Sequence, residues 1–265
     1  MDYATFKKLA GQMTGIDLTN YKSQQMDRRI HSLMQVWRVQ SYEEFLTVLE
    51  TNPSRFQEFT KKLTINVSEF FRNPDRFHDL WHTILPALAE ERWQIRIWSA
   101  GCSNGAEPYS VALIATELHL DHRVRILATD IDQVILHVAA QAIYHPNDVR
   151  NLPQELLEKY FELQNGMYRL NPVLKRLVEF RRHDLLADDF EPNLDLIICR
   201  NVVIYFTEMA KLTLYQKFNE ALRPGGYILV GGTEPLLNYR QLGFESVIPS
   251  FYRKPGLPAE GSIEQ

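Results

Sequence analysis

Four short apolar runs, separated by helical or polar segments, constrain the fold of this chain more than any other feature. They are Gln94–Ser99, Val124–Thr129, Leu194–Cys199 and Tyr227–Gly231. Continuous apolar runs of this length are typical of strands that are buried on both faces. The segments Tyr109–Leu118 and Ile131–Ala142, which lie between the first three runs, have helical periodicity. The alternation therefore predicts an α/β fold with a doubly wound parallel sheet.

The chain on either side of this pattern predicts further parts. Residues 1–70 read as amphipathic helices, so we expect an all-α N-terminal domain there, a linker over 71–90 and the sheet domain over 91–253. The alternation breaks between about residues 142 and 180, where Asn165-Gly166 is typical of a tight hairpin turn. We expect a small antiparallel β-insert in that region. Residues 254–265 are expected to be a disordered tail.

Composition excludes several classes of protein. A chain of 265 residues that is 45% hydrophobic can bury a core without metals or disulfides. No apolar run is long enough to span a membrane or to form a signal peptide, so we expect a cytoplasmic protein without membrane insertion. The net charge of −4 offers no overall basic field for a nucleic acid.

The cysteines and histidines do not indicate a metal site. Cys102 and Cys199 are too few for a disulfide scaffold or a zinc site, and we expect them to be small buried residues. The histidines have no metal-like spacing. We therefore expect no metal.

Positive charge is concentrated near the N-terminus of this acidic chain. Residues 1–62 carry nine Lys or Arg against seven Asp or Glu. The basic residues cluster between Lys22 and Arg38, where the only acid is Asp27. Two interpretations stay open: a solvated helix face, or a surface for a local anionic partner.

A glycine-bearing turn follows the first apolar run. Gly101 and Gly105 would let the backbone approach a ligand closely, but the spacing is not G-x-G-x-x-G, which disfavours a nicotinamide-dependent oxidoreductase. Glu107 stands where the next helix begins, and Asp130 closes the second run. An acid at the latter position holds ribose hydroxyls in α/β nucleotide folds. Either acid could instead stabilise a helix N-terminus.

A second turn signal precedes the fourth apolar run. In Leu222-Arg223-Pro224-Gly225-Gly226, we expect a helix to end and Pro and two Gly to form the turn before the strand. This turn is common in S-adenosylmethionine-dependent methyltransferases of the α/β class. With the glycine turn and Asp130, it favours a methyl-donor site.

Four stretches, taken together, resemble the CheR family of chemotaxis-receptor protein-glutamate O-methyltransferases. They are Leu63–Asn73, Ile97–Ser110, Ala128–Asp132 and Asp195–Phe206. Their order and spacing match across roughly residues 5–253. The resemblance implies an all-α N-terminal domain and a Rossmann-like class I methyltransferase sheet with a small β-insert.

The resemblance also implies roles for single residues. Arg72 and Tyr205 are the expected catalytic residues, close to the substrate carboxylate or the transferring methyl group. Asp130 is expected on the ribose of the cofactor, and Asp184 and Leu185 beside its adenine. Ser68 and Ala106 depart from the Thr and Glu that the family often has. The cofactor-binding residues implied in this way are Asn66, Ser68, Arg72, Glu107, Asp130, Asp184, Leu185, Arg200 and Asn201.

The implied activity is methyl transfer from S-adenosyl-L-methionine to glutamates of methyl-accepting chemotaxis receptors, with S-adenosyl-L-homocysteine as the second product. A glutamate carboxylate has a reference pKa of about 4.3, so it is ionised at neutral pH and no general base is required. Positioning and desolvation would supply the rate. A non-catalytic S-adenosylmethionine-binding signalling module, and a methyltransferase of this fold with another substrate, are the alternatives.

The partner surface follows from the same resemblance. A basic set on the N-terminal domain would steer the protein to an acidic receptor helix. The segment Phe161–Met167 is short, which predicts that the protein does not depend on a receptor C-terminal pentapeptide. We expect a monomer. The basic set is Lys22, Arg28, Arg29 and Arg38.

Overall fold

The computed structural model describes residues 1–63 and 68–256 and divides the chain into two compact units. The first comprises Met1–Asn66 and Val202–Leu212, and the second comprises Val67–Asn201 and Thr213–Gln265. The segment Val202–Leu212, which the sequence places in the sheet domain, thus groups with the N-terminal helices. The candidate cofactor residue Asn66 lies outside the described residues.

The first unit is built on four helices with an aromatic centre. Its helices are α1 (Tyr3–Thr14), α2 (Ser23–Trp37), α3 (Tyr42–Thr51) and α4 (Pro53–Leu63). The ring of Phe45, which is fully buried, lies 4.7 Å from Trp37, 5.4 Å from Phe6 and 5.3 Å from Phe59, so one residue each from α1, α2 and α4 packs on α3. Apolar residues at helical spacing therefore place one face of each helix in a shared core.

Seven strands form the main sheet of the second unit, and three form a smaller one. In the main sheet the strands lie in the order β6 (Val178–Arg182), β2 (Val124–Asp130), β1 (Ile95–Ala100), β7 (Leu194–Cys199), β8 (Leu222–Val230), β10 (Phe251–Arg253) and β9 (Glu245–Ile248). Strand β10 runs antiparallel to its neighbours β8 and β9. This arrangement confirms the predicted α/β class. The smaller sheet consists of β3 (Ile143–Tyr144), β5 (Met167–Leu170) and β4 (Phe161–Gln164).

Helices of the second unit bury the central strands. Every residue of β7 is buried, and so is every residue from Ala106 to Ala115 in the helix α7 (Ala106–Glu117). Within residues 1–63 and 68–256, no helix combines the length and apolar content that crossing a bilayer requires. The remaining helices are α5 (Pro74–Asp79), α6 (Leu85–Glu91), α7 (Ala106–Glu117), α8 (Gln133–Gln141), α9 (Gln154–Tyr160), α10 (Pro172–Lys175) and α11 (Glu208–Ala221).

The segment over 71–90, read as a linker in the sequence, is largely helical. A π-helical stretch, Leu80–Ile84, joins α5 to α6. Phe77, Leu80 and Leu88 are fully buried in the core of the second unit. The segment therefore contributes packing to the unit that carries the main sheet.

The predicted β-insert is confirmed, with one correction. Strands β3, β5 and β4 form a small antiparallel sheet, and Asn165 and Gly166 make its two-residue turn with φ of 51° and 78°. The strand β6, which the sequence placed at the end of the insert, instead pairs parallel with β2 in the main sheet. The charged residues Glu179 and Arg181 interrupt the apolar run that would have indicated a strand of the main sheet.

Two expectations near the C-terminus are corrected as well. The residues Pro224 to Gly226 do not form a separate turn: they lie inside β8, whose register on β7 shifts there, and Gly225 adopts a φ of 79°. Lys254 does not belong to a free tail, because its N–H donates to the Gly226 carbonyl at 2.9 Å. Residues 257–265 lie outside the described part.

Candidate functional site

The turn between β1 and α7 lies at the carboxyl edge of the sheet, where α/β folds bind ligands. Gly101, Ser103 and Gly105 all have positive φ, at 85°, 51° and 84°. The N–H groups of Gly101 and Cys102 donate to the Thr129 carbonyl at 2.8 Å, which ties the turn to β2. A Cβ on Gly105 would lie 3.0 Å from the Ala139 Cβ, so this position requires glycine for space as well as for φ.

Asp130 is held at the end of β2 by backbone donors. Its Oδ2 accepts the Ser103 N–H at 2.9 Å, and its Oδ1 accepts the Asp132 N–H at 3.1 Å. Burial raises the pKa of this carboxyl, and the backbone hydrogen bonds oppose that shift. Each carboxylate oxygen can accept more than one hydrogen bond. Asp130 is therefore a pre-oriented acceptor for hydroxyl groups, as expected of a ribose-binding acid.

Glu107 and Arg200 form a buried ion pair between α7 and the end of β7. The Ser99 Oγ donates to Glu107 Oε1 at 2.8 Å, and Arg200 Nη1 donates to Oε2 at 3.3 Å. The Arg200 side chain is only 2% exposed. Burial raises the pKa of Glu107, while the positive charge of Arg200 acts in the opposite direction. Two oppositely charged groups thus lie in a site from which water is largely excluded.

Arg200 also ties the Arg72 segment to the site. Its Nη2 donates to the Arg72 carbonyl at 2.6 Å and to Asn73 Oδ1 at 2.5 Å. Phe71 and Asn73, which flank Arg72, have φ of 51° and 59°, a strained conformation that clusters at functional sites. The charge of the Arg72 guanidinium acts on both Glu107 and Arg200. The structure therefore brings Arg72, Glu107 and Arg200 together.

Sequence reasoning missed Glu234, a buried acid that supports this arrangement. Its Oε2 accepts the N–H of Asn201 at 2.6 Å and the N–H of Gly231 at 3.1 Å. A Cβ on Gly231 would lie 2.1 Å from that same oxygen. Glu234 therefore fixes the turn that carries Arg200. A lone acid shortly after Gly231-Gly232, at the end of an apolar strand, was the available signal.

The two residues expected beside adenine lie near Asp130. The His183 N–H donates to the Asp130 carbonyl at 3.0 Å, which places the following turn at the end of β2. Asp184 uses Oδ1 to accept the Leu186 N–H at 2.9 Å, so its carboxylate stabilises that turn. Leu185 is buried.

Ser68 contacts the turn between β1 and α7 through its backbone carbonyl. Its carbonyl accepts a long hydrogen bond of 3.4 Å from Asn104 Nδ2, in the turn between β1 and α7. The Oδ1 of Asn104 also accepts the N–H of Ala106, the first residue of α7, at 3.1 Å. The two sequence-predicted positions Ser68 and Ala106 thus meet at one asparagine.

Tyr205 belongs to the first unit, where it contacts Arg29. The Arg29 Cζ lies 4.9 Å from the centre of the Tyr205 ring. Arg29 Nη1 also donates to the Leu63 carbonyl at 2.8 Å and to the Lys62 carbonyl at 3.3 Å. Arg29 is therefore engaged inside the unit, although the sequence assigned it to partner docking.

The other three basic docking candidates differ in accessibility. Lys22 Nζ forms an ion pair with Glu208 at 3.3 Å. Arg28 and Arg38 are exposed. Arg38 ends α2 with a φ of 58°. Arg28 and Arg38 are thus the candidates best placed to meet a partner.

The polar and apolar side chains at this site of the second unit fit the groups of S-adenosylmethionine. That molecule presents an ammonium, a carboxylate, two ribose hydroxyls and an adenine. Glu107 and Asp130 offer buried acceptors for the first and third of these groups, and Leu185 offers an apolar surface. The buried Nε of Arg200 has no hydrogen-bond partner among the described residues, which leaves one donor for a carboxylate.

Two family models and several known proteins match most of the sequence of this chain. Residues 66–248 match the family described as CheR methyltransferase, SAM binding domain, and residues 1–64 match CheR methyltransferase, all-alpha domain. The chain is 39% identical over 254 residues to a chemotaxis protein methyltransferase of Listeria monocytogenes, covering 96% of this chain and 97% of that protein. It is 36% identical over 255 residues to one of Borreliella burgdorferi, covering 91% and 89%.

Solved structures of other methyltransferases resemble this chain more distantly. A TehB-like SAM-dependent methyltransferase from Corynebacterium glutamicum matches with a TM-score of 0.39 and 14% identity, covering 68% of this chain and 94% of that one. The relatives and the matched domains confirm the sequence resemblance and the cofactor. The chain belongs to the CheR family of S-adenosylmethionine-dependent chemotaxis protein methyltransferases.

Proposed function

We propose that this protein esterifies glutamate side chains on the cytoplasmic helices of chemoreceptors, using the methyl group of S-adenosylmethionine. The observation that carries the proposal is the buried Arg200–Glu107 pair, which adjoins Arg72 at the carboxyl edge of the sheet. Relatives that are named chemotaxis protein methyltransferases support the choice of substrate. A substrate of this kind places the protein in the cytoplasm.

Four residues would hold the cofactor. Glu107 would bind its ammonium group and Arg200 its carboxylate, and the positive charge of Arg200 opposes the rise in the pKa of Glu107 that burial causes. Asp130 would bind the ribose hydroxyls, and Leu185 would contact the adenine. The acids suit these roles because both are buried and oriented by fixed donors.

Bound S-adenosylmethionine supplies an electrophilic methyl group on a sulfonium. The residues of the chain have little proton chemistry to perform, because a glutamate carboxylate is already ionised at neutral pH. Arg72 orients the incoming carboxylate with its planar guanidinium. It must hold that group loosely, since stabilising the ground-state carboxylate would slow the reaction. Tyr205, which Arg29 contacts within the first unit, is the second catalytic residue that we propose.

The test is methyl transfer from labelled S-adenosylmethionine to a chemoreceptor cytoplasmic fragment. We expect label that alkali releases as methanol, because that lability is typical of a carboxyl methyl ester. Arg72→Ala should lose most of the transfer, whereas Arg240→Ala, at an exposed arginine, should keep it. Label that resists alkali would indicate a different acceptor group. Binding of cofactor without transfer to any receptor would indicate a binding-only module.

We also propose that receptor tethering through a C-terminal pentapeptide is not required. The hairpin β4–β5 closes with the two-residue turn Asn165-Gly166, so the insert has no extended loop there. Receptor fragments with and without the pentapeptide should be methylated at the same rate. A clear preference for the fragment that carries the pentapeptide would contradict this.

A further inference from the structure

An open, positively charged groove lies on one face of the main sheet, on strands β6, β2 and β1. Strand register places Arg96 beside Arg125 and Leu127 beside Glu179. Four arginines against two glutamates give the lining a net charge of +2. The charged residues are Arg96, Arg125, Arg176, Arg181, Glu179 and Glu191.

Both glutamates are engaged by only two of the arginines. Glu191 accepts from Arg96 Nη2 at 2.9 Å and from Arg181 Nη1 at 2.7 Å. Glu179 accepts from Arg181 Nη2 at 2.8 Å. Three ion pairs therefore neutralise one half of the groove.

The other half keeps two guanidinium groups without a counter-charge. Arg125 and Arg176 are exposed, and neither lies within ion-pair distance of a carboxylate in the described part of the chain. Arg125 Nη1 donates to the carbonyl of Val124 at 2.9 Å. Because like charges on paired strand residues destabilise a sheet, the neighbouring positions of Arg96 and Arg125 favour an anion at this place.

The floor of the groove is apolar. Leu177 and Leu194 are buried there, and Leu127 is half-buried. A ligand that matches the groove therefore combines a flat or apolar part with strong negative charge. Guanidinium groups bind phosphate with two parallel hydrogen bonds.

We propose that this groove binds a small molecule that carries phosphate groups beside a flat or apolar part, with its phosphates on Arg125 and Arg176. The site is separate from the cofactor site. Arg96 stands near the amino end of β1, whereas Ser99, which contacts Glu107, stands near its carboxyl end. The two ligands would bind at opposite ends of the same strand.

The test uses the full chain saturated with S-adenosylhomocysteine, so that a nucleotide probe cannot occupy the cofactor site. GTP, inorganic pyrophosphate and guanosine are titrated by calorimetry at low and moderate salt. We expect GTP to bind and pyrophosphate to bind more weakly, with guanosine silent. Arg125→Ala and Arg176→Ala should each weaken GTP binding by about tenfold or more, because each removes a charge-assisted contact. Arg169→Ala, at an exposed arginine on β5, is the matched control and should bind GTP like the parent chain.

Unchanged affinity for S-adenosylhomocysteine shows that each variant is folded. Absence of GTP binding, equal binding of guanosine, or equal GTP affinity in Arg125→Ala and Arg176→Ala would each overturn the proposal. Polyglutamate that binds these arginines while GTP does not would also overturn it, and would indicate an acidic peptide as the partner.

Discussion

The Glu234 carboxylate accepts the backbone N–H of Asn201 at 2.6 Å and thereby fixes the turn that carries Arg200. The same oxygen accepts the Gly231 N–H, so one side chain joins the ends of β7 and β8. Hydrogen bonds to a charged acceptor are stronger than those between neutral groups. Glu234 thus supports Arg200 through the backbone of the adjacent residue, and its negative charge also acts on the Arg200 guanidinium.

Adjacent glycines provide a matched test of this relationship. A methyl group at Gly231 would lie 2.1 Å from Glu234 Oε2 and must displace it, whereas nothing lies within 4 Å of the corresponding position at Gly232. Gly231→Ala should therefore lower the free energy of unfolding by about 1–3 kcal/mol, the usual cost of overpacking. It should also weaken S-adenosylhomocysteine binding, while Gly232→Ala changes neither. Thermal unfolding and calorimetric titration measure both quantities; equal behaviour of the two variants would contradict the role of Glu234.

Removing only one member of the Arg200–Glu107 ion pair should lower the free energy of unfolding strongly. Arg200→Ala leaves the Glu107 carboxylate buried without its guanidinium, and such changes cost about 3–5 kcal/mol. Arg200→Met combined with Glu107→Gln removes both charges and should be less destabilised than Arg200→Ala. Urea unfolding measures the difference. A double variant that is less stable than Arg200→Ala would show that the pair does not dominate this part of the core.

Cofactor binding should weaken in mild acid. Burial raises the pKa of Glu107 and of Asp130, so both protonate at a higher pH than exposed carboxyls do. A raised pKa favours the protonated folded state, so the contribution of these groups to stability is fully present below their unfolded pKa values. That contribution is lost as the pH rises through the folded values.

Cofactor affinity depends on pH in the opposite direction to this stability contribution, because binding requires the ionised carboxylates. Affinity for S-adenosylhomocysteine should fall as the pH decreases through the raised pKa values, before exposed carboxyls titrate. Glu107→Gln should bind weakly at neutral pH and show a flatter pH profile. Calorimetry across a pH series checks this. An affinity that stays constant until the protein unfolds would refute the assignment of these acids.

Partner docking should depend on Arg28 and Arg38 rather than on Arg29. Arg28→Glu combined with Arg38→Glu should slow receptor methylation, most strongly at low salt, and leave cofactor affinity unchanged. Lys8→Glu, at an exposed position on α1, is the control for a charge reversal elsewhere. Unchanged methylation at low salt would argue against docking through this surface.

Arg29→Glu should behave differently from those reversals. It places a carboxylate beside the Lys62 and Leu63 carbonyl oxygens and removes the cation from the Tyr205 ring. We expect a lower unfolding temperature for this variant. Methylation data on a variant that reverses both Arg28 and Arg29 would therefore mix docking with loss of structure.

The sequence predicted the parts of the fold whose residues are apolar throughout. The β7 residues are all buried, and their apolar run predicts the strand. The strand β6 was misplaced because exposed Glu179 and Arg181 interrupt its pattern. The start of β8 was read as a turn because Pro224 and Gly225 usually leave a strand, whereas here a register shift accommodates them.

The residues of the candidate site were likewise predicted only in part. Glu107, Asp130 and Arg200 were identified because each ends or begins an element beside a recognisable motif. Glu234 was missed because its role depends on a contact with Asn201, which is distant in sequence and adopts a φ of 60°. Arg29 was assigned to the surface because an arginine on an amphipathic helix gives no sign of the tyrosine that covers it. Pairwise contacts of this kind follow from tertiary packing and not from local pattern.

The central claim is that glutamate carboxylates of a chemoreceptor receive the methyl group. The most direct measurement is mass spectrometry of a receptor cytoplasmic fragment after incubation with this protein and S-adenosylmethionine. The account predicts the added mass of one methylene per site, located on glutamate side chains, lost on alkaline treatment and absent with Arg72→Ala. A modification located on any other residue type, or a receptor that stays unmodified while the protein binds the cofactor, would contradict it.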